Sequence, residues 1–147
     1  MTMSEMQQVS GVTVRQCRPG DEDVFFRLLR NAFGSMEYAP RVKAEISGSY
    51  FNREGSFIAE KNGSAVGCVG LRNFPREKWL DIRYLAVTNS ESRVLLAQTL
   101  VTKAVQYADS NHAETLKAFV PAVQPYVDVY NRSGFVPVRR SLRIGGT

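Results

Sequence analysis

Apolar and polar positions along this chain alternate at two periods, and each change of period marks an element. "VTVRQC" (12–17) alternates residue by residue, the pattern of a half-buried strand. Arg18-Pro19-Gly20 breaks it, and Asp21 suits a helix N-cap. Val24, Phe25, Leu28, Leu29, Ala32 and Phe33 then recur at helical spacing, which predicts a helix over 21–33 ended by Gly34. Residues 40–52, "PRVKAEISGSYFN", read as a second, weaker helix opening at Pro40. In "SFIAEKNGSAVGCVGLRNF" two β-rich runs flank Asn62-Gly63, the pair preferred by a two-residue type I′ turn, so a hairpin is expected. A third strand follows over about 78–87, a long helix over about 90–109 and a strand over 115–120. Pro121 and Pro125 bracket the start of a last helix over about 123–132, Gly134 stops it, and "FVPVRRSLRI" closes the chain as a strand.

The resulting order, β-α-α-β-β-β-α-β-α-β, is that of an α/β protein. A hairpin joined to β-α-β units implies a mixed central sheet with helices on both faces. At 147 residues the chain suits one domain, expected over 11–147, with residues 1–10 as a polar, flexible tail.

Composition narrows the chemistry more than the fold. No apolar run approaches the roughly 20 residues of a membrane span, and the N-terminus lacks a signal-peptide core, so a cytoplasmic protein is expected. Cys17 and Cys68 read as small core side chains. With His112 the only histidine, no metal-ligand spacing exists, and neither a metal nor a histidine-dependent triad is expected. The net charge of +5 favours an anionic ligand. Arg53, Arg72, Arg76, Lys78, Arg93, Arg139, Arg140 and Arg143 are scattered, however, and form no basic stripe with interleaved aromatics for nucleic acid.

"TNSESRVLLAQTL" (88–100) starts a helix directly after the strand "WLDIRYLAV", with Ser90 or Asn89 as the expected cap. Such a junction presents unpaired amides and a positive dipole end to an anion. Leu96, Ala97, Leu100, Val101, Ala104 and Ala108 define the buried face, and at about 100° per residue Leu95 points away from it. No glycine occurs between Gly70 and Gly134, so any ligand here meets a turn without glycine.

The element order and two motifs resemble the GNAT superfamily of N-acetyltransferases over about residues 12–144. "DIRYLAVTNSESRVLLAQTL" is similar to the family's acyl-CoA strand, loop and helix. The family's (Arg/Gln)-x-x-Gly-x-(Gly/Ala) turn falls on Ser92, Arg93, Val94, Leu95, Leu96 and Ala97; Ala97 fits, Ser92 replaces the Arg or Gln, and Leu95 replaces a glycine. "VYNRSGFVPV" is similar to the family's Tyr-x-(Lys/Arg)-x-Gly-Phe segment through Tyr130, Arg132, Gly134 and Phe135.

The resemblance implies acetyl-CoA as acyl donor and a small-molecule or peptide amine as acceptor, attacked directly. It implies pantetheine lying along Leu85, Ala86 and Val87 like an added strand, with the amide near Val87 donating to the thioester oxygen. Tyr130 is the implied general acid, and a phenol with a pKa near 10 suits a thiolate leaving group. Asp81 stands where some members carry a glutamate base; by strand alternation it shares a face with Trp79, Arg83 and Leu85, and it is equally readable as the ion-pair partner of Arg83. Met36, Tyr38, Tyr50 and Phe51 line either an acceptor pocket or the core. The competing class is a GNAT-fold binding or assembly module without acetyl-CoA, for which Leu95 is the strongest argument. Exposed edge strands leave room for a homodimer.

Overall fold

The computed structural model describes residues 11–33, 44–76, 78–88, 90, 92–118 and 126–135. Its elements are β1 (Val12–Gln16), α1 (Glu22–Phe33), β2 (Phe51–Lys61), β3 (Ser64–Phe74), β4 (Trp79–Val87), α2 (Arg93–Ser110), β5 (Thr115–Ala118) and α3 (Tyr126–Arg132). The strands form one five-stranded sheet in sequential order. β1 to β4 pair antiparallel, and β5 returns parallel to β4 across α2. Asn62 and Gly63 take φ of 54° and 78°, as a type I′ turn requires.

Helices cover both faces of the sheet. On one, Val69, Leu71, Leu80, Ile82, Leu85 and Val87 pack against Leu96, Ala97, Leu100, Val101, Ala104 and Ala108 of α2, the stripe expected from the helical period. On the other, Phe25, Leu28 and Leu29 of α1 pack with Ile46 against Phe51, Ile58, Cys68, Tyr84 and Ala86.

Several boundaries differ from the sequence reading. Over 40–52, only residues 44–46 are helical among those described, and Phe51 and Asn52 already belong to β2. β2 can start early because it carries a bulge between Asn52 and Phe57. There the buried Ser56 hydroxyl donates to the Asn52 carbonyl at 2.6 Å and accepts the Leu71 amide at 2.9 Å, so the irregular backbone stays satisfied. Residues 1–10, Met36, Tyr38, 119–125 and the expected last strand beyond Phe135 lie outside the described residues.

Asp21 sits where α1 begins, its carbonyl accepting the Phe25 amide at 3.0 Å, but its carboxylate does not cap the helix. It turns back to the Arg15 guanidinium, at 2.8 and 3.1 Å, and to the Arg18 amide at 2.7 Å. A bidentate guanidinium is the stronger donor, so it wins over a capping amide. Arg15, with the Arg18 amide, holds the Asp21 carboxyl below its usual range. A carboxyl depressed by folding adds stability above its unfolded value, near pH 4, and loses it as the pH falls through its folded value. Asp21→Asn should therefore cost about 1.5–3 kcal/mol at neutral pH. In urea titrations across a pH series, the gap to the parent should close below about pH 4; a constant gap would count against the ion pair.

Candidate active site

β4 is the centre of the site: it carries Asp81 and Leu85–Val87, and its described pairing with β5 covers only its first half. β5 runs beside it only from Trp79↔Thr115 to Ile82↔Ala118. Among the described residues, the β5-side edge from Tyr84 to Val87 has no strand partner. β4 also bulges there: Gly70 faces Tyr84 and Leu71 faces Ile82, leaving Arg83 as an extra residue.

The bulge overturns one reading of the alternation. Ile82 and Leu85 now lie on the α2 face, so Leu85 is on the opposite side of the sheet from Asp81. Leu85 and Val87 are committed to the α2 core and Ala86 to the α1 core. These residues thus offer a ligand their backbone edge rather than their side chains.

Asp81 is 3% exposed. Its hydrogen-bonded ion-pair partner is Arg72, its register neighbour on β3. Arg72 donates to Oδ2 through Nη2 at 2.6 Å and Nε at 3.2 Å, while Oδ1 is buried with no hydrogen-bond partner among the described residues. An orphaned carboxylate oxygen is costly in a protein interior, and it is the kind of atom that a substrate proton or a water satisfies. On the same face Tyr84 donates a hydrogen bond to Glu45. Burial, followed by that bond, pushes the Tyr84 phenol above its ordinary value.

After β4 ends at Val87, α2 begins at Arg93 behind Ser92. Ser92, not Ser90, is the cap residue, and its hydroxyl makes no capping bond; Asn89 lies outside the described residues. Ser90 contributes only its carbonyl, which accepts the Arg93 amide and Nη1, each at 3.2 Å. The first intrahelical bond runs from the Leu96 amide to the Ser92 carbonyl at 2.8 Å. Val94 and Leu95 therefore carry the first-turn amides without an acceptor inside the helix. Leu96 and Ala97 point into the core, whereas Arg93 is exposed and Leu95 is 39% exposed, away from the buried face as expected.

The Tyr130 segment is held by a helix-ending motif. Gly134 takes φ of +96°, which lets its amide donate to the Asn131 carbonyl at 3.2 Å and the Phe135 amide to the Tyr130 carbonyl at 3.1 Å. These are the two bonds of a Schellman motif, and its accompanying hydrophobic contact is Tyr130 on Phe135, edge to face at 5.3 Å. The Tyr-x-Arg-x-Gly-Phe spacing is thus the spacing that locks this ring. Tyr130 is 3% exposed. Gln98 of α2 donates to the Ser133 hydroxyl at 2.7 Å, tying this corner to the helix that starts at Arg93.

Both cysteines are free and buried. Burial pushes the Cys17 thiol up to about 12 and raises Cys68 as well, so both stay protonated and neither offers a thiolate nucleophile. Among the described residues no cluster of His, Cys, Asp and Glu could hold a metal ion, and no helix is long and apolar enough to cross a membrane.

The sequence reading missed Arg72, Lys117 and the Tyr84–Glu45 pair. Arg72 had a signal in the sequence, since counting back across the β3–β4 turn puts it opposite Asp81. Lys117 and Glu45 come from other elements and had none.

A strand that runs through a short loop into a helix start with free first-turn amides is an arrangement that can hold an extended anionic ligand. A profile of the acetyltransferase (GNAT) family matches residues 23–135. The chain belongs to that family and is an N-acetyltransferase by class. Among solved structures, AAC(6')-Iy in complex with the bisubstrate analogue CoA-S-monomethyl-acetylneamine aligns at TM-score 0.70 and 15% identity, over 92% of this chain and 97% of that one. A ribosomal-protein-alanine N-acetyltransferase from Brucella melitensis biovar Abortus 2308 aligns at 0.69 and 15% identity, over 90% and 98%. An aminoglycoside acetyltransferase from an uncultured soil metagenomic sample aligns at 0.65 and 19% identity, over 90% and 97%. At such identities the likeness is one of fold. No curated protein sequence matches.

Proposed function

We propose that this protein transfers an acetyl group from acetyl-CoA to a primary amine by direct attack. The observation that carries this reading is the β4 edge Tyr84–Val87, without a strand partner among the described residues, leading to a helix start whose cap hydroxyl makes no capping bond and whose Val94 and Leu95 amides have no acceptor within the helix. The groups present fit an acyl-CoA: amides and a guanidinium for phosphates, and a strand edge for an extended chain carrying amides of its own. Acetyl-CoA supplies an activated acyl thioester. The Ser92 hydroxyl, the Val94 and Leu95 amides and Arg93 would hold its phosphates. The backbone of Leu85–Val87 would align the pantetheine arm, with the Val87 amide polarising the acyl carbonyl. Asp81 accepts the proton that the amine gives up as its bond to the acyl carbon forms, directly or through one water. Tyr130 donates a proton to the sulfur as the carbon–sulfur bond breaks.

Direct attack suits this chain because its two thiols are buried and protonated.

Calorimetric titration with acetyl-CoA, CoA and 3′,5′-ADP tests the donor site. Saturable micromolar binding is expected. No binding at millimolar ligand would favour the second reading, a GNAT-fold binding module, for which Leu95 at 39% exposure is the argument. Leu95 adds an isobutyl group where a bare backbone lets phosphate approach. Leu95→Gly should therefore tighten acetyl-CoA binding several-fold, even though glycine costs the helix about 1 kcal/mol. Weaker binding by a folded variant would reject the steric account.

A further inference from the structure

The sheet face that carries Asp81 also carries a row of charge and a stack of rings, and nothing in acyl transfer as such requires either. Arg72, Asp81 and Lys117 are register neighbours on β3, β4 and β5. Arg72 takes Oδ2 of Asp81, but Lys117 leaves Oδ1 unpaired. Its ammonium lies instead over Trp79, 3.3 Å from the ring centroid. Trp79 meets Phe74, its register partner, at 5.9 Å, and Tyr50 stacks on Phe74 at 5.4 Å with an interplanar angle of 23°. The Arg72 guanidinium reaches both parts of the site, lying on Asp81 and 5.0 Å from the Phe74 centroid. Tyr50 is 58% exposed, so the stack opens to solvent at that end.

The charges on this face select among amines. The Asp81 charge is shared with Arg72, and Glu45 accepts from Tyr84. Lys117 has no carboxylate partner among the described residues, and Arg76 and Lys78 are exposed in the adjoining turn. A polycationic acceptor would meet like charge here, which costs affinity. An anionic group is drawn to Lys117. Cations on either side of Asp81 also disfavour an ammonium and favour the neutral amine, the form that attacks an acyl group. Asp81 and Lys117 stand side by side on neighbouring strands about 4.8 Å apart, so one small molecule can offer an amine to the first and an anion to the second.

We propose that this face is the acceptor site and that the acceptor is an aromatic α-amino acid. Its amine meets Oδ1 of Asp81, its carboxylate meets the Lys117 ammonium, and its ring lies against the Trp79–Phe74–Tyr50 row. The assignment of the amine rests on the acyl-transfer reading; the binding of ring and carboxylate does not.

Trp79 is the only tryptophan in the chain, so its fluorescence reports this site alone. The protein is titrated with phenylalanine, phenethylamine, glycine and neamine, which differ in ring, acid and charge. Phenylalanine should change the emission saturably, with an affinity at least about tenfold above the other three, since it alone offers both the ring and the charge-assisted contact. In Lys117→Met, phenylalanine should fall to the affinity of phenethylamine. The proposal is overturned by phenethylamine or neamine binding as tightly as phenylalanine. It is equally overturned by a flat phenylalanine titration through tens of millimolar in protein shown to be folded by circular dichroism. Thiol release from acetyl-CoA with the same four compounds separates the two readings. Phenylalanine binding without thiol release from any of them retires amine transfer at Asp81 and leaves the binding site standing. Release with neamine but not with phenylalanine retires the amino-acid acceptor and leaves acyl transfer standing.

Discussion

Tyr130→Phe should lower kcat by about a hundredfold or more, the usual contribution of a positioned general acid, while acetyl-CoA affinity changes little. The substitution removes one hydroxyl and keeps the ring that packs edge to face on Phe135. It also keeps the two backbone bonds of the Schellman motif, which depend on Gly134 and not on the tyrosine side chain. The fold should therefore survive, and a calorimetric titration beside steady-state kinetics separates binding from turnover. Because the departing sulfur needs a proton only as its bond breaks, the loss belongs to kcat. Unchanged turnover would remove Tyr130 as the acid and leave it as a ring that fixes the end of α3.

Asp81→Asn should lower kcat/KM by about two orders of magnitude or more and also destabilise the protein. The stability loss, about 1.5–3 kcal/mol, comes from Arg72 losing the charge that holds its guanidinium on the sheet. The two effects can be told apart by size. A domain with 5–15 kcal/mol of stability stays overwhelmingly folded after such a loss, so unfolding cannot account for a hundredfold drop in rate. A variant that is destabilised but turns over normally would make Asp81 a strut for Arg72 and nothing more. The orphaned Oδ1 motivates the other outcome, because a purely structural carboxylate gains nothing from leaving one buried oxygen unpaired.

Local periodicity was enough to read most elements correctly. The stripe of α2, the Asn62-Gly63 hairpin and the Gly134 stop all follow from spacings within about twenty residues, where backbone geometry and side-chain burial act together. Two motifs were enough to place the chain in its family, because a Schellman corner and a strand-to-helix junction are themselves local structures. The errors arose where a contact crossed elements. Asp21 looked like a cap until Arg15, on a different element, competed for it. Ser90 looked like the cap of α2, but the cap is Ser92 and the helix begins at Arg93.

The candidate site was legible as residue types and not as an arrangement. Alternation assigned Asp81 and Leu85 to one face, and the bulge at Arg83, set by pairing with β3, moved them to opposite faces. Arg83 was the nearest cation in the chain, yet Arg72, nine residues away, bonds Asp81 because the register of two strands places it there. What the sequence by itself determined was the set of elements, the helix face that is buried and the family, all of which depend on neighbours along the chain. Tertiary structure alone decided which charges meet, which carboxylate oxygen is left without a partner and which rings stack beside it. Those outcomes depend on strand register and sheet bulges, where a shift of one residue exchanges every contact on a face.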